Sequence, residues 1–408
     1  MRHHLDDERY GRALLRPLAG EPAGQPRIDV SRAMAQGRRR RLTRWWASGT
    51  AIVALTATTA AGGTLAFSAV GRPGTAPRPV ATPAPSITAA APLERPKDCT
   101  VTRLPTGGVE KALVTGGDPS GHWVVGRTYP AGKDDGSRPL VIWKDGKIAD
   151  TVRIGGQDQS FEDINKRGNA VGYTFEPGVR PYAYSNGKVT PIPGGEAVAQ
   201  AINDDGVVVG SLGPIYEGLP VRWSSITAQP EKLPVPRGTE SGAAIDIDED
   251  GTILGTVSPK GKEGSGYLWL PDGTHRAMPL PKIDGKKATM FWPASIRNGW
   301  VVGRSVVDTE QERRFEFFRF RIATGRYERL PDDSGMPDRV AANGWIIGTA
   351  RRPVITSDGN VTTELPGYRK AKGRQDYLIS SFSDDGRTAA GYSSGEGVSN
   401  HPLLWECR

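Results

Sequence analysis

Cysteine and histidine are scarce in this chain: 408 residues contain 2 Cys and 5 His. Two cysteines can build neither a disulfide-dense small scaffold nor a four-thiolate zinc site. Past residue 98 the only histidines are His122, His275 and His401, widely spaced, and no His-Glu-x-x-His string occurs. A zinc site therefore has little support. Residues 99–408 also lack net charge, with 38 basic and 38 acidic side chains. Phosphate neutralisation needs a basic surface, so nucleic acid is not an expected partner of this part.

The excess positive charge is confined to the start of the chain. Residues 1–44 hold 11 Arg against 5 acidic residues and end in Arg38–Arg41, shortly before Trp45 and Trp46. Residues 47–70 follow without a charged side chain, 24 in all, enough at about 1.5 Å per residue to cross a hydrocarbon core of roughly 30 Å. The pattern predicts a basic cytoplasmic tail (1–44) and a single transmembrane helix (45–70), with the paired Trp at the interface. The alternative is an export signal cleaved near Ala66-Phe67-Ser68, giving a secreted protein. Residues 71–98 carry seven prolines among Ala and Thr and read as a disordered, partly polyproline linker outside the membrane.

From residue 99 a repeat takes over, best seen in Ile202-Asn203-Asp204-Asp205-Gly206-Val207-Val208-Val209-Gly210. It reads as strand, tight turn, buried strand: Asn and Asp bond their own backbone and Gly supplies positive φ. The glycine ending the second strand recurs at Gly126, Gly172, Gly210, Gly255, Gly303, Gly348 and Gly391, and a turn glycine precedes each at Gly121, Gly168, Gly206, Gly251, Gly299, Gly344 and Gly386. A period near 44 residues with only strands in it is the length of a propeller blade. A third strand then often opens with Pro and ends in an aromatic (Trp143, Tyr184, Trp223, Trp269, Phe320, Trp405), expected to pack between blades. A fourth often ends Leu-Pro or Ile-Pro, as at Pro193, Pro234, Pro281, Pro331 and Pro366. The seventh copy stops after its third strand, while Leu104-Pro105 stands before the first. The expected fold is therefore all-β, a seven-bladed β-propeller over 99–408 closed by an N-terminal strand. Cys99 and Cys407, at its two ends, then come together as a disulfide in an oxidising compartment, the alternative being two separate thiols.

The repeated Ile-Asn-x-x-Gly, Val-Val-Gly and Pro-x-x-x-Trp strings resemble the bacterial HAF-type extracellular repeats, although the His-Ala-Phe that names them is absent. The resemblance implies a propeller at a surface or secreted address with no defined chemistry. Leu14-Leu15-Arg16, Arg38–Arg41 and the span are similar to actinobacterial membrane proteins that partner alternative sigma factors, which implies a cytoplasmic regulator bound to the tail.

Three stretches could carry chemistry. Asp246, Asp248 and Asp250 begin like a calcium loop, but Val257 stands where the bidentate carboxylate belongs, so calcium is the one cofactor on offer and a plain repeat hairpin is the alternative. Gly391-Tyr392-Ser393-Ser394-Gly395 matches a nucleophile elbow, which needs a following helix that the repeat does not supply. The connections from second to third strand and from fourth strand to the next blade are long and variable, and they share one rim. They bring Phe175, Tyr216, Phe291, Trp292, Arg304, Tyr368 and Tyr377 forward as a ligand face. The expected function is a membrane-anchored, extracytoplasmic binding or sensing module for an envelope ligand or protein partner, without catalysis. The alternatives are a signalling protein working through its tail, and a hydrolase or lyase of envelope polymers using residues such as Glu162, Asp158 and Arg304.

Overall fold

The computed structural model describes residues 94–131, 138–175, 178–308, 313–368, 375–394 and 400–408. The predicted tail, the predicted membrane helix and almost all of the linker lie outside them. Among the described residues no helix is long and apolar enough to cross a membrane.

Seven four-stranded antiparallel sheets follow one another along the chain. They occupy residues 111–152, 160–191, 197–232, 239–277, 290–329 and 336–364 for blades 1 to 6, and 376–406 with 100–103 for blade 7. The first strand of each blade is innermost, whereas fourth strands such as Lys147–Val152, Lys188–Pro191 and His275–Ala277 are largely exposed and form the outer edge. Apolar side chains of neighbouring blades mesh between them. Val125, Leu140 and Ile142 of blade 1, for example, pack on Phe161, Ile164 and Tyr182 of blade 2.

Ring closure follows the expected route. Blade 7 takes its fourth strand from Thr100–Arg103, which pairs antiparallel with His401–Glu406 from Thr100↔Glu406 to Arg103↔Leu403. Lys97 and Arg408 exchange both backbone hydrogen bonds, at 3.0 and 2.8 Å. Between the two contacts Cys99 and Cys407 form a disulfide of 2.04 Å. The bond points to an oxidising, extracytoplasmic setting for the ring.

The repeat glycines have separate reasons. All seven turn glycines adopt φ between 70° and 86°, a region that costs other residues strain. The glycine ending each second strand instead faces a β-bulge in the first strand. In six blades a Cβ there would fall 1.9–2.4 Å from a first-strand carbonyl oxygen, as at Gly210 over Val198. The bulge is thus built into every blade by leaving out a side chain on its partner.

The third-strand aromatics are inter-blade packing, as expected, and their polar edges explain the prolines. The Trp143, Trp223, Trp269 and Trp405 indoles donate to the carbonyls of Pro105, Pro193, Pro234 and Pro366, at 2.7–2.9 Å. Each of these prolines precedes the blade to which the Trp belongs. Where blade 5 has Phe320, the hydroxyl of Tyr327 reaches back to Pro279 instead, at 2.7 Å.

Candidate functional site at the tunnel mouth

The bulges determine what lines the axis. They leave Thr115, Glu162, Gln200, Ile245, Ala294, Asp338 and Ser380 unpaired in the seven innermost strands, followed by Gly116, Asp163, Ala201, Asp246, Ser295, Arg339 and Ser381. Charges in this double tier act on one another across the ring. Burial pushes the Asp163 carboxyl up to about 8, against the amide of Ile202; Asp246 of blade 4 raises it further, while Ile164 N–H and Arg339 of blade 6 hold it down. Asp246 is likewise raised by burial and held down chiefly by Arg339.

Nearer the long-loop rim, the residue after each second-strand glycine forms the next tier: Arg127, Tyr173, Ser211, Thr256, Arg304, Thr349 and Tyr392. Burial raises the Glu162 carboxyl, opposed by Ser160, by the charge of Arg127, by Gln200 and by Arg339. Asp338 is raised by burial to about 6, countered by a 2.6 Å hydrogen bond from Thr349 and by Arg339 and Arg304. The Tyr173 hydroxyl is held protonated by burial and by Glu162; that of Tyr392 is raised by burial and by Tyr129, and senses Arg127 and Asp338. Residues of blades 1, 2, 5, 6 and 7 thereby surround one mouth of carboxyl, guanidinium and phenol groups.

Two cation–aromatic platforms flank it. On blade 1 the Tyr129 ring has Lys111 Nζ at 4.6 Å, Arg138 at 5.0 Å and Arg127 at 5.5 Å. On blade 5 Arg304 and Arg313 lie 5.3 and 5.6 Å from the Trp292 ring, with Phe315 beside it at 6.0 Å. Arg313 is itself forked onto Asp308 and Glu263, which fixes it beside the indole; aromatic rings held in place by cations are surfaces that suit sugar rings and peptide side chains.

The opposite end of the tunnel is spanned by ions. Arg297, only 13% exposed, donates to Glu249 at 2.7 Å and forks onto Asp384 at 2.6 and 2.8 Å, joining blades 4, 5 and 7. Lys166 pairs with Asp204 at 2.5 Å, and the Asp204 amide donates to Glu249 at 2.9 Å. A cavity of about 420 Å³ remains there, but its charges satisfy one another. At the long-loop rim Arg313 of blade 5 pairs with Asp308 at 2.6 Å and with Glu263 of the neighbouring blade 4 at 3.2 Å, and these pairs do not cross the axis.

The expected ligand face divides. Trp292 and Arg304 belong to the blade 5 platform; Phe175 and Tyr216 are half-buried beside Tyr173, the Phe175 and Tyr173 rings 5.4 Å apart. Phe291 and Tyr377, at 0% and 4% exposure, belong to the core rather than the rim. They occupy inward positions of first strands, where apolar bulk fills the gap between blades. Tyr368 is half-buried, its amide bonded to the Tyr377 hydroxyl. Of the residues expected for catalysis, Glu162 and Arg304 reach the mouth, while Asp158 is exposed with Arg138 at 3.8 Å. Ser393 is fully buried on the extended strand Thr388–Ser394 and accepts the amide of His401, so it is not held as an exposed elbow nucleophile.

The calcium-like carboxylates are spent on backbone amides. Asp246 accepts Ile296 N–H at 2.9 Å, and Asp248 accepts Asn298 and Gly299 at 2.9 and 2.7 Å, all from blade 5; Asp250 closes its own turn on Thr252. Among the described residues no group of three or more His, Cys, Asp or Glu is placed to hold a metal. Sequence reasoning missed Lys111, Tyr129, Arg138, Tyr173, Asp338 and Tyr392. Tyr173 and Tyr392 follow the repeat glycine just as Arg304 does, so reading that column down the repeats would have found them.

No known family matches this sequence, and no curated protein does. Solved structures do. The chain is similar to the β-propeller domain of the Trilobed protease from Pyrococcus furiosus, with TM-score 0.51 and 13% identity over 74% of this chain and 95% of that one. It is also similar to the acylaminoacyl peptidase of Pyrococcus horikoshii (TM-score 0.48, 14% identity, 74% and 52% covered) and to YCF48 bound to D1 peptide (0.45, 14%, 78% and 98%). The likeness is one of fold alone. The Trilobed domain is described as having an open velcro topology; this ring is latched by a borrowed strand and a disulfide.

Proposed function

We propose that this protein is a membrane-anchored, extracytoplasmic binding module that takes an envelope glycan or peptide at the tunnel mouth, without chemistry. The observation that carries the reading is the pair of cation–aromatic platforms, on Tyr129 and on Trp292, beside one polar opening. Rigid aromatics held by neighbouring cations supply contact area at little entropic cost. The opposite end is crossed by the Arg297 network, which supports entry from the rim.

A thermal-shift screen of the full chain against cell-wall fragments, glycans and peptides tests it. A ligand at about 100-fold over its Kd adds about 2.7 kcal/mol of stability. Trp292→Ala and Tyr129→Ala should each abolish the shift while folding normally. A flat screen with the parent chain, or a shift that both variants keep, would overturn the reading. The raised carboxyls of Glu162 and Asp338 support a second reading, a hydrolase or lyase of envelope polymers using them as acid and base. In that case Glu162→Gln would stop product formation and leave the thermal shift intact.

A further inference from the structure

Outside the seven blades the described residues contain one more sheet, a two-stranded hairpin of Lys282–Ile283 and Lys286–Lys287 between blades 4 and 5. It rises from the long-loop rim: Thr289, just after it, donates its amide to Val306 at 2.8 Å, and its hydroxyl accepts the amide of Asp308 at 3.2 Å. Asp284 and Gly285, with φ of 50° and 79°, make a two-residue turn that matches strand twist. Ile283 and Ala288 are buried, at 6% and 4% exposure, in the core shared by blades 4 and 5. The hairpin is therefore a fixed projection.

Its charge is what the local rules do not explain. Lys282 and Lys287 are direct cross-strand partners, and Lys286 is opposite Ile283. All three lysines are exposed, and among the described residues none of them has an ion-pair partner. Like charges directly opposed destabilise a strand pair, and a two-stranded sheet is marginal already. The hairpin retains this pair with one apolar anchor, and the single acidic residue on it is Asp284 in the turn, so it carries a net charge of +2.

We propose that this hairpin is a docking site for a phosphate-bearing anionic polymer of the envelope, distinct from the tunnel mouth. Each lysine offers a compact point charge, which pairs with phosphate oxygens without the bidentate geometry an arginine fork would impose. A bilayer surface is a poorer fit, because the hairpin's apolar residue points into the core and no aromatic stands on it to enter the interface.

The test is amide hydrogen exchange of the full chain in zwitterionic lipid nanodiscs, titrated with long-chain inorganic polyphosphate, with phosphatidylglycerol vesicles and polyglutamate as comparison arms. Reading exchange at residues 282–287 separates the hairpin from the Arg-rich tail. Polyphosphate should slow exchange there, less so as salt is raised. The triple variant Lys282→Glu, Lys286→Glu, Lys287→Glu should raise the midpoint about tenfold or more, through reversal of three charges on one projection. The matched variant Lys147→Glu, Lys188→Glu, Lys232→Glu on the exposed outer strands should leave it within about twofold, its charges lying on other blades. Unchanged exchange, equal losses in both triples, or a stronger response to vesicles or polyglutamate would each overturn the proposal.

Discussion

The indole of Trp223 is wholly buried, yet its one polar atom reaches across the blade boundary to Pro193, 2.8 Å away. Buried Trp needs a partner for its N–H, and the carbonyl before a strand break is otherwise unpaired. One contact therefore explains two features of the repeat, the aromatic ending the third strand and the proline ending the fourth. Trp223→Phe keeps most of the packing and orphans the Pro193 carbonyl. It should lower the unfolding free energy by about 1–3 kcal/mol, read as a lower urea midpoint with an unchanged slope. An unchanged midpoint would mean the hydrogen bond contributes nothing net. Gly210 shows the same economy by a different cause, since no side chain fits 1.9 Å from the Val198 oxygen.

Within a blade, the bulged first strand is the element that joins architecture to site. It turns polar side chains towards the axis and lets Asp163 accept the amide of Ile202 from blade 3, just as Asp246 accepts that of Ile296 from blade 5. These bonds tie neighbouring blades at a depth where charge is costly. The Asp163 carboxyl titrates near 4 in the unfolded chain and at about 8 in the folded ring, with Asp246 and Arg339 facing it. Between those values the folded state holds a proton that the unfolded state has lost. Stability from this group is full below about pH 4 and falls as pH rises towards 8. Asp338, at about 6, works in the same direction over a narrower window. Melting temperatures from pH 5 to 8 should decline in the parent and decline less in Asp163→Asn. Parallel curves would remove Asp163 from the account.

On the scale of the whole molecule, a ring of seven blades has a single seam, and the first and last strands of the ring meet there. Closing it pairs the edge that His401–Glu406 would otherwise leave open, and the disulfide spans a sequence separation of 308 residues. In the loop-entropy account so long a loop is worth about 6 kcal/mol, less any residual order in the unfolded chain. Cys99→Ser with Cys407→Ser should therefore melt markedly lower than the parent, and exchange of the Thr100–Arg103 amides should quicken before that of the other blades. A double variant with the parent's melting temperature would show that the borrowed strand closes the ring unaided.

The blade number, the borrowed strand and the Cys99–Cys407 pairing were legible in the sequence, because glycine, proline and tryptophan mark positions where backbone geometry or a buried N–H leaves few other choices. The tunnel was legible only in part. Six of the seven bulged residues, Glu162 and Asp338 among them, stand six places before a turn glycine, and in blade 5 Ala294 stands five before Gly299. A bulge leaves no residue type of its own, so nothing in a single copy distinguishes that column. Asp246 and Asp248 looked like cation ligands because a run of carboxylates reads alike whether an ion or a neighbouring blade's amides will fill it. Chain order specified which strands pair. Only closure of the ring decided which charges from blades 1, 2, 5, 6 and 7 would share one mouth, because that depends on distances across the axis between residues far apart in sequence.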